Sequence, residues 1–288
     1  MGDLSISQIV DFLAAPFVAS LILTGIHAYL GVHVVERGVI FVDLSLAQIA
    51  ALGATIAILL PFSGGDPHAP SVYWVSLAFT FIGAAIFSMI RGRQARIPQE
   101  AIIGITYAVA SAAAILAMSK STSESEHLKH MLVGNIIAVS WSEVIKTALL
   151  YGAIGIFHYV FRKPFLAISM NHDREDATGL NVRWWDFLFY ASFGVVVTSS
   201  VGIAGVLLVF CYLIVPSVAA MLFADTIGKR LAIGWAMGTI VSALGVYLSL
   251  ILDLPTGATI VCTFGMVLIL MAIVRVLIPR TPGPAHAL

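Results

Sequence analysis

The chain has 288 residues, 60% of them hydrophobic and only 10% charged, with a formal net charge of zero. A soluble protein of this size carries about a quarter of its residues charged, and a nucleic-acid partner requires a basic face, so both classes are excluded. Uncharged runs cover 12–35, 44–65, 67–90, 101–119, 187–224, 231–252 and 254–274. Most approach the roughly 20 residues with which an α-helix crosses a bilayer core. The composition therefore predicts an all-α polytopic membrane protein, a single domain over 1–288 surrounded by membrane lipid.

In chain order, helices are expected over 10–35, 44–61, 72–90, 101–119, 141–161, 186–200, 204–224, 230–252 and 257–278. Twelve of the fifteen basic residues collect in alternate gaps: Arg37; Arg91, Arg93 and Arg96; Arg162, Lys163, Arg174 and Arg183; Lys229 and Arg230; Arg275 and Arg280; Lys120, Lys129 and Lys146 are the exceptions. Lys and Arg mark the cytoplasmic side, so about nine crossings are expected, with the N-terminus outside and the C-terminus cytoplasmic. The run 187–224 lies between two basic gaps and must cross an even number of times. Its expected break is Val201-Gly202-Ile203-Ala204-Gly205, where glycine weakens a helix.

Residues 162–185 form the longest cytoplasmic gap. Asn171-His172-Asp173 can cap a short helix with Asp173, Glu175 and Asp176 in its first turn, and Gly179 can stop it. Such a helix, pinned between two spans, suits a soluble partner. The chain has no phosphate-binding Gly-Lys-Ser/Thr loop; its Gly228-Lys229 pair is followed by Arg230. It also lacks a string of intramembrane acids, since Asp43 stands almost alone. Both absences point to a permease driven by a separate ATPase.

The segments Val206-Leu207-Leu208, Pro216-Ser217-Val218-Ala219-Ala220 and Leu244-Gly245-Val246-Tyr247-Leu248-Ser249 lead to the string Asp253-Leu254-Pro255-Thr256-Gly257-Ala258-Thr259-Ile260-Val261. Together with Ile103-Gly104-Ile105 and Val133-Gly134-Asn135-Ile136, they resemble the permease subunits of bacterial zinc/manganese/iron ABC importers over essentially the whole chain. The resemblance implies a plasma-membrane permease that pairs with a second copy or a paralogue, a dimer of cytoplasmic ABC ATPases, and an extracytoplasmic metal-binding protein. A divalent metal is then the transported substrate, with no cofactor bound by this chain and no enzymatic activity of its own. Residues 171–181 resemble the helix that sits in a groove of the ATPase, which makes about 165–183 the coupling segment, with Asp173, Arg174, Glu175, Asp176 and Gly179 as its contacts.

The family carries Gly-Asp-Ala-Leu-Ser-His at the start of its second helix, whose Asp and His can hold the ion. Here Val42-Asp43-Leu44-Ser45-Leu46-Ala47-Gln48 occupies that stretch, with Leu44 at the Asp position and Gln48 at the His position. Asp43 lies about 100° around the helix from the family carboxylate, and an amide oxygen is a poor zinc ligand. Three explanations compete: a partner permease supplies the ligands, the substrate is another metal or a chelate, or Asp43 substitutes. Pathway candidates are Asp43, Gln48, Ser45, His27 and His33. Asp43 and Gln48 are also metal candidates, together with His127 and His130 of an outer His-x-x-His. The competing readings are a permease for an iron-siderophore or corrinoid, and an intramembrane enzyme, for which no matched pair of catalytic groups stands out.

Overall fold

The computed structural model describes residues 6–63, 66, 69–90, 97–119, 136–170 and 180–278. Its helices are α1 (Ile6–Glu36), α2 (Val42–Leu59), α3 (Pro70–Ile90), α4 (Gln99–Met118), α5 (Trp141–Val160), α6 (Arg162–Met170), α7 (Val182–Met221), α8 (Ile227–Leu252) and α9 (Thr256–Leu277). Short 3₁₀ turns occupy Pro61–Ser63 and Ile136–Ala138. Among the described residues seven helices are long and apolar enough to span a membrane, or eight if α5 and α6 are one broken span. The chain is an all-α polytopic membrane protein.

Local chemistry explains where the helices stop. Gly38 takes φ +66°, and the amides of Gly38 and Val39 donate to Val35 and Val34. This pair of bonds is a Schellman end, closed by the buried side chains of Val34 and Val39. Ser140 and Glu143 form a reciprocal capping box at α5. Asp253 ends α8 in the left-handed region, at φ 52° and ψ 48°, which Asp tolerates better than most residues. Pro255 follows, and Ser249 Oγ meets Thr256 Oγ1 at 2.7 Å. The Asp-Leu-Pro-Thr string is thus the tight turn joining α8 to α9.

α7 contains forty residues, but Gly205 inside it has φ 75° and ψ 161°, so two helices meet at a kink there. Contacts with α1 show how sharp this kink is. Ser200 Oγ lies 3.3 Å from His27 Nε2, while Ser217 Oγ donates to Ala28 O at 3.3 Å. Two serines seventeen positions apart would be about 25 Å apart on a straight helix. Here both reach neighbouring residues of α1, so the chain turns back on itself. The break falls at the last residue of the expected 201–205 interval.

α1 lies at the centre, packed against α5, α6, α7 and α8, while α2 packs on α3, α4 and α7. The core is closed by small residues, as the Gly234-x-x-x-Gly238 spacing suggests. Gly234 sits over Ala28 and Pro216, and Gly238 faces Thr24.

The first part of the gap 162–185 is a helix, α6, bent 75° from α5, and its Phe165, Ile168 and Ser169 are buried. The 3.6-residue period explains this, because positions 165, 168 and 169 share one helix face.

Candidate functional site

Two polar regions lie inside the bundle. The first is the start of α2. Asp43 is buried, and its Oδ1 accepts a hydrogen bond from the Leu44 amide at 2.7 Å, placing a carboxylate at the positive end of the helix. Ser45 is fully buried, with its Oγ unpartnered among the described residues, and Gln48 is half-buried one turn on. Phe41, just before the helix, stacks on Phe210 of α7, and its amide donates to Glu100 Oε1 of α4 at 3.2 Å. The site therefore lies where α2, α4 and the second half of α7 meet. Among the described residues no group of three or more His, Cys, Asp or Glu side chains is placed to hold a metal ion. Within one copy, the start of α2 offers a buried carboxylate, a spare hydroxyl and an amide.

The second region lies at the far end of α1 and was not visible as a unit in the sequence. Arg37, the base of the first gap between apolar runs, is 3% exposed. Its Nη1 donates to Asp186 Oδ1 of α7 at 2.5 Å and its Nε donates to Ser169 Oγ of α6 at 2.8 Å. Its guanidinium lies 4.0 Å from the centre of the Phe189 ring. A buried charge requires such compensation. His33 Nδ1 meets the same Ser169 Oγ at 2.8 Å. Nearby, His158 of α5 bonds Ser192 Oγ through Nε2 at 2.8 Å, faces Tyr29 Oη through Nδ1 at 3.3 Å, and stacks on Phe165 with ring centres 4.4 Å apart.

The candidate histidines of α1 therefore separate. His27 bonds Leu23 O and Ser200 Oγ, whereas His33 joins the Arg37 cluster. Asp186, His158 and Ser169 are the participants that sequence reasoning missed. The available signal was a lone acid at the edge of an apolar run, matching a lone base at the edge of another. His127 and His130 lie outside the described residues, as do Asp173, Arg174, Glu175, Asp176 and Gly179.

A profile of the ABC 3 transport family matches residues 9–275, and the chain belongs to that family. The manganese transport system membrane protein MntC of Listeria innocua is 25% identical over 254 residues, covering 87% of this chain and 86% of that one. A probable iron transport system membrane protein of Haemophilus influenzae is 26% identical over 251 residues, covering 87% and 89%. Among solved structures, PsaBC from Streptococcus pneumoniae in complex with Fab superposes with a TM-score of 0.75 at 22% identity, covering 93% of this chain and 95% of that one; at that identity the likeness shows the fold. The chain is a membrane permease subunit of a bacterial ABC importer, a transport protein rather than an enzyme.

Proposed function

We propose that this permease carries a divalent metal ion, manganese or iron, by alternating access, and that it forms the pathway with a second copy or a related permease. The observation that carries the reading is the family match over nearly the whole chain, with relatives named for manganese and iron transport. The start of α2 supports it, because Asp43 provides a hard oxygen ligand that suits Mn²⁺ or Fe²⁺ better than a neutral amide does. One carboxylate makes a weak site alone, and a second permease across the pathway supplies the remaining ligands. In this reading two cytoplasmic ATPases bind residues 171–181 and provide the energy, and an extracytoplasmic metal-binding protein delivers the ion.

The proposed topology has nine crossings, with α5 and α6 as one broken span and α7 crossing twice. The N-terminus is outside and the C-terminus cytoplasmic. Supporting this, basic gaps distant in sequence meet at one end of the bundle: Arg37 pairs with Asp186, three residues after Arg183, and Arg230 pairs with Glu36. A positive cluster on one side fits the cytoplasmic face.

The test is uptake of radiolabelled Mn²⁺ and Fe²⁺ into cells that co-express this chain with an ABC ATPase and a metal-binding protein from the same genome. ATP-dependent accumulation of either ion is expected. Accumulation of neither ion, with the complex intact, would overturn the substrate assignment.

A further inference from the structure

We infer that Ser169, backed by the Arg37–Asp186 pair, is the positioning residue through which α6 passes movement of the ATPase-facing segment to α1 and α7. The inference rests on the proposed contact between residues 171–181 and the ATPase. The segment is continuous with α6, which ends at Met170, and with α7, which begins at Val182, so its displacement pulls on both helices and reaches α1 through α6. Because α6 is bent 75° from α5, the last part of this broken span leaves the line of α5 and packs against α1 and α7.

Contacts of two kinds hold α6. Phe165 stacks on His158 and meets Trp185 and Phe189 edge-on; these ring contacts carry no directional hydrogen bond and tolerate sliding. Ser169 Oγ lies between Arg37 Nε and His33 Nδ1, 2.8 Å from each. Arg37 can only donate, so the hydroxyl accepts there, and its own proton is free for His33 Nδ1. A hydrogen bond from a charged donor is strong and directional, so it sets the register of α6 along α1. Arg37 in turn holds Asp186 of α7 and rests on Phe189. The hydroxyl thus ties α6 to α1, and Arg37 extends the tie to α7.

The cluster also holds unused bonding capacity. Arg37 Nη2 and His33 Nε2 are buried with no partner among the described residues. Buried polar atoms of this kind call for an explanation. A second arrangement, in which α6 has shifted and these atoms take up its polar groups, provides one. An element with two bonded arrangements is what a switching transition requires.

The test uses the whole transporter, co-expressed with its ATPase and reconstituted in proteoliposomes, reading ATP hydrolysed per Mn²⁺ transported together with the amount of ATPase that co-purifies. For Ser169→Ala we expect the ATPase to stay bound while ATP hydrolysed per ion rises at least roughly fivefold, with Ser169→Thr restoring the parental ratio. An unchanged ratio in Ser169→Ala overturns the inference. If that variant fails to assemble, Arg37→Lys replaces it, keeping a charge beside Asp186 but losing the Nε donor; the same two outcomes apply. A Glu175→Ala/Asp176→Ala variant separates the two claims. If it keeps the parental ratio while Ser169→Ala does not, the 171–181 docking reading fails and the role of Ser169 in coupling stands.

Discussion

Gly31 of α1 rests directly on the backbone of Leu213 in α7. A Cβ at position 31 would fall 1.9 Å from the Leu213 carbonyl oxygen and 2.4 Å from Ser217 Oγ. The obstacle is mostly main chain, which cannot rotate away, so the two helices have to separate. We expect Gly31→Ala to lower stability by about 3 kcal/mol, at the upper end for overpacked cores. Thermal unfolding in detergent, followed by size-exclusion chromatography, measures it. A variant that melts like the parent would show that α1 and α7 do not meet in this register.

Gly205 and Gly202 form a matched pair for testing the kink. The Gly205 backbone, at φ 75° and ψ 161°, lies in a region essentially reserved for glycine, and a side chain there costs about 1–3 kcal/mol. Nothing lies within 4 Å of a Cβ built at Gly202. Gly205→Ala should therefore melt earlier and lose uptake, whereas Gly202→Ala should retain both. Equal behaviour of the two variants would locate the reversal of α7 elsewhere.

Asp43→Asn keeps an oxygen able to accept from the Leu44 amide, so it should fold. It should also reduce Mn²⁺ uptake by roughly tenfold or more, the scale on which metal-site support is lost. Gln48→Ala should have a smaller effect. The measurement is initial uptake rate at several metal concentrations, and indifference to Asp43→Asn removes this carboxylate from the pathway.

Asp186→Leu leaves the Arg37 guanidinium buried beside an apolar side chain, and loss of one partner of a buried pair costs about 3–5 kcal/mol. Replacing both partners, Arg37→Met with Asp186→Leu, should cost less than the single change. Chemical or thermal unfolding of the three proteins decides the order. A double variant less stable than the single would mean that Arg37 contributes more through Ser169 and Phe189 than through its charge.

The helices were legible because membrane spans are written in composition: charge-free runs end where a charge or a Gly/Pro signal begins. The kink in α7 was legible for the same reason, since the spacing of Arg183 and Lys229 required a reversal and glycine marked where. The Arg37 cluster was not. Its partners are separated by 149 and 132 positions, and no local pattern encodes which distant acid a lone base will meet. At α2 the sequence reads as a departure from the Asp/His pair that the resemblance implies. What compensates for it depends on groups outside a single copy, so neither the spacing nor the fold of one chain supplies the answer.

The turn at Gly205 bears on how the chain enters the bilayer during synthesis. In the two-crossing reading, both arms of α7 can leave the translocon together as a hairpin. The tip, Val201-Gly202-Ile203-Ala204-Gly205, carries no charge, so its passage requires no hydrated side chain to be stripped of water. Insertion of this pair is then governed by the flanking Arg183 and Lys229, which stay behind. A lysine in place of the exposed Gly202 would oppose passage of the tip and leave both arms on the wrong side of the barrier, an assembly defect arising where no neighbour lies within 4 Å of an added Cβ.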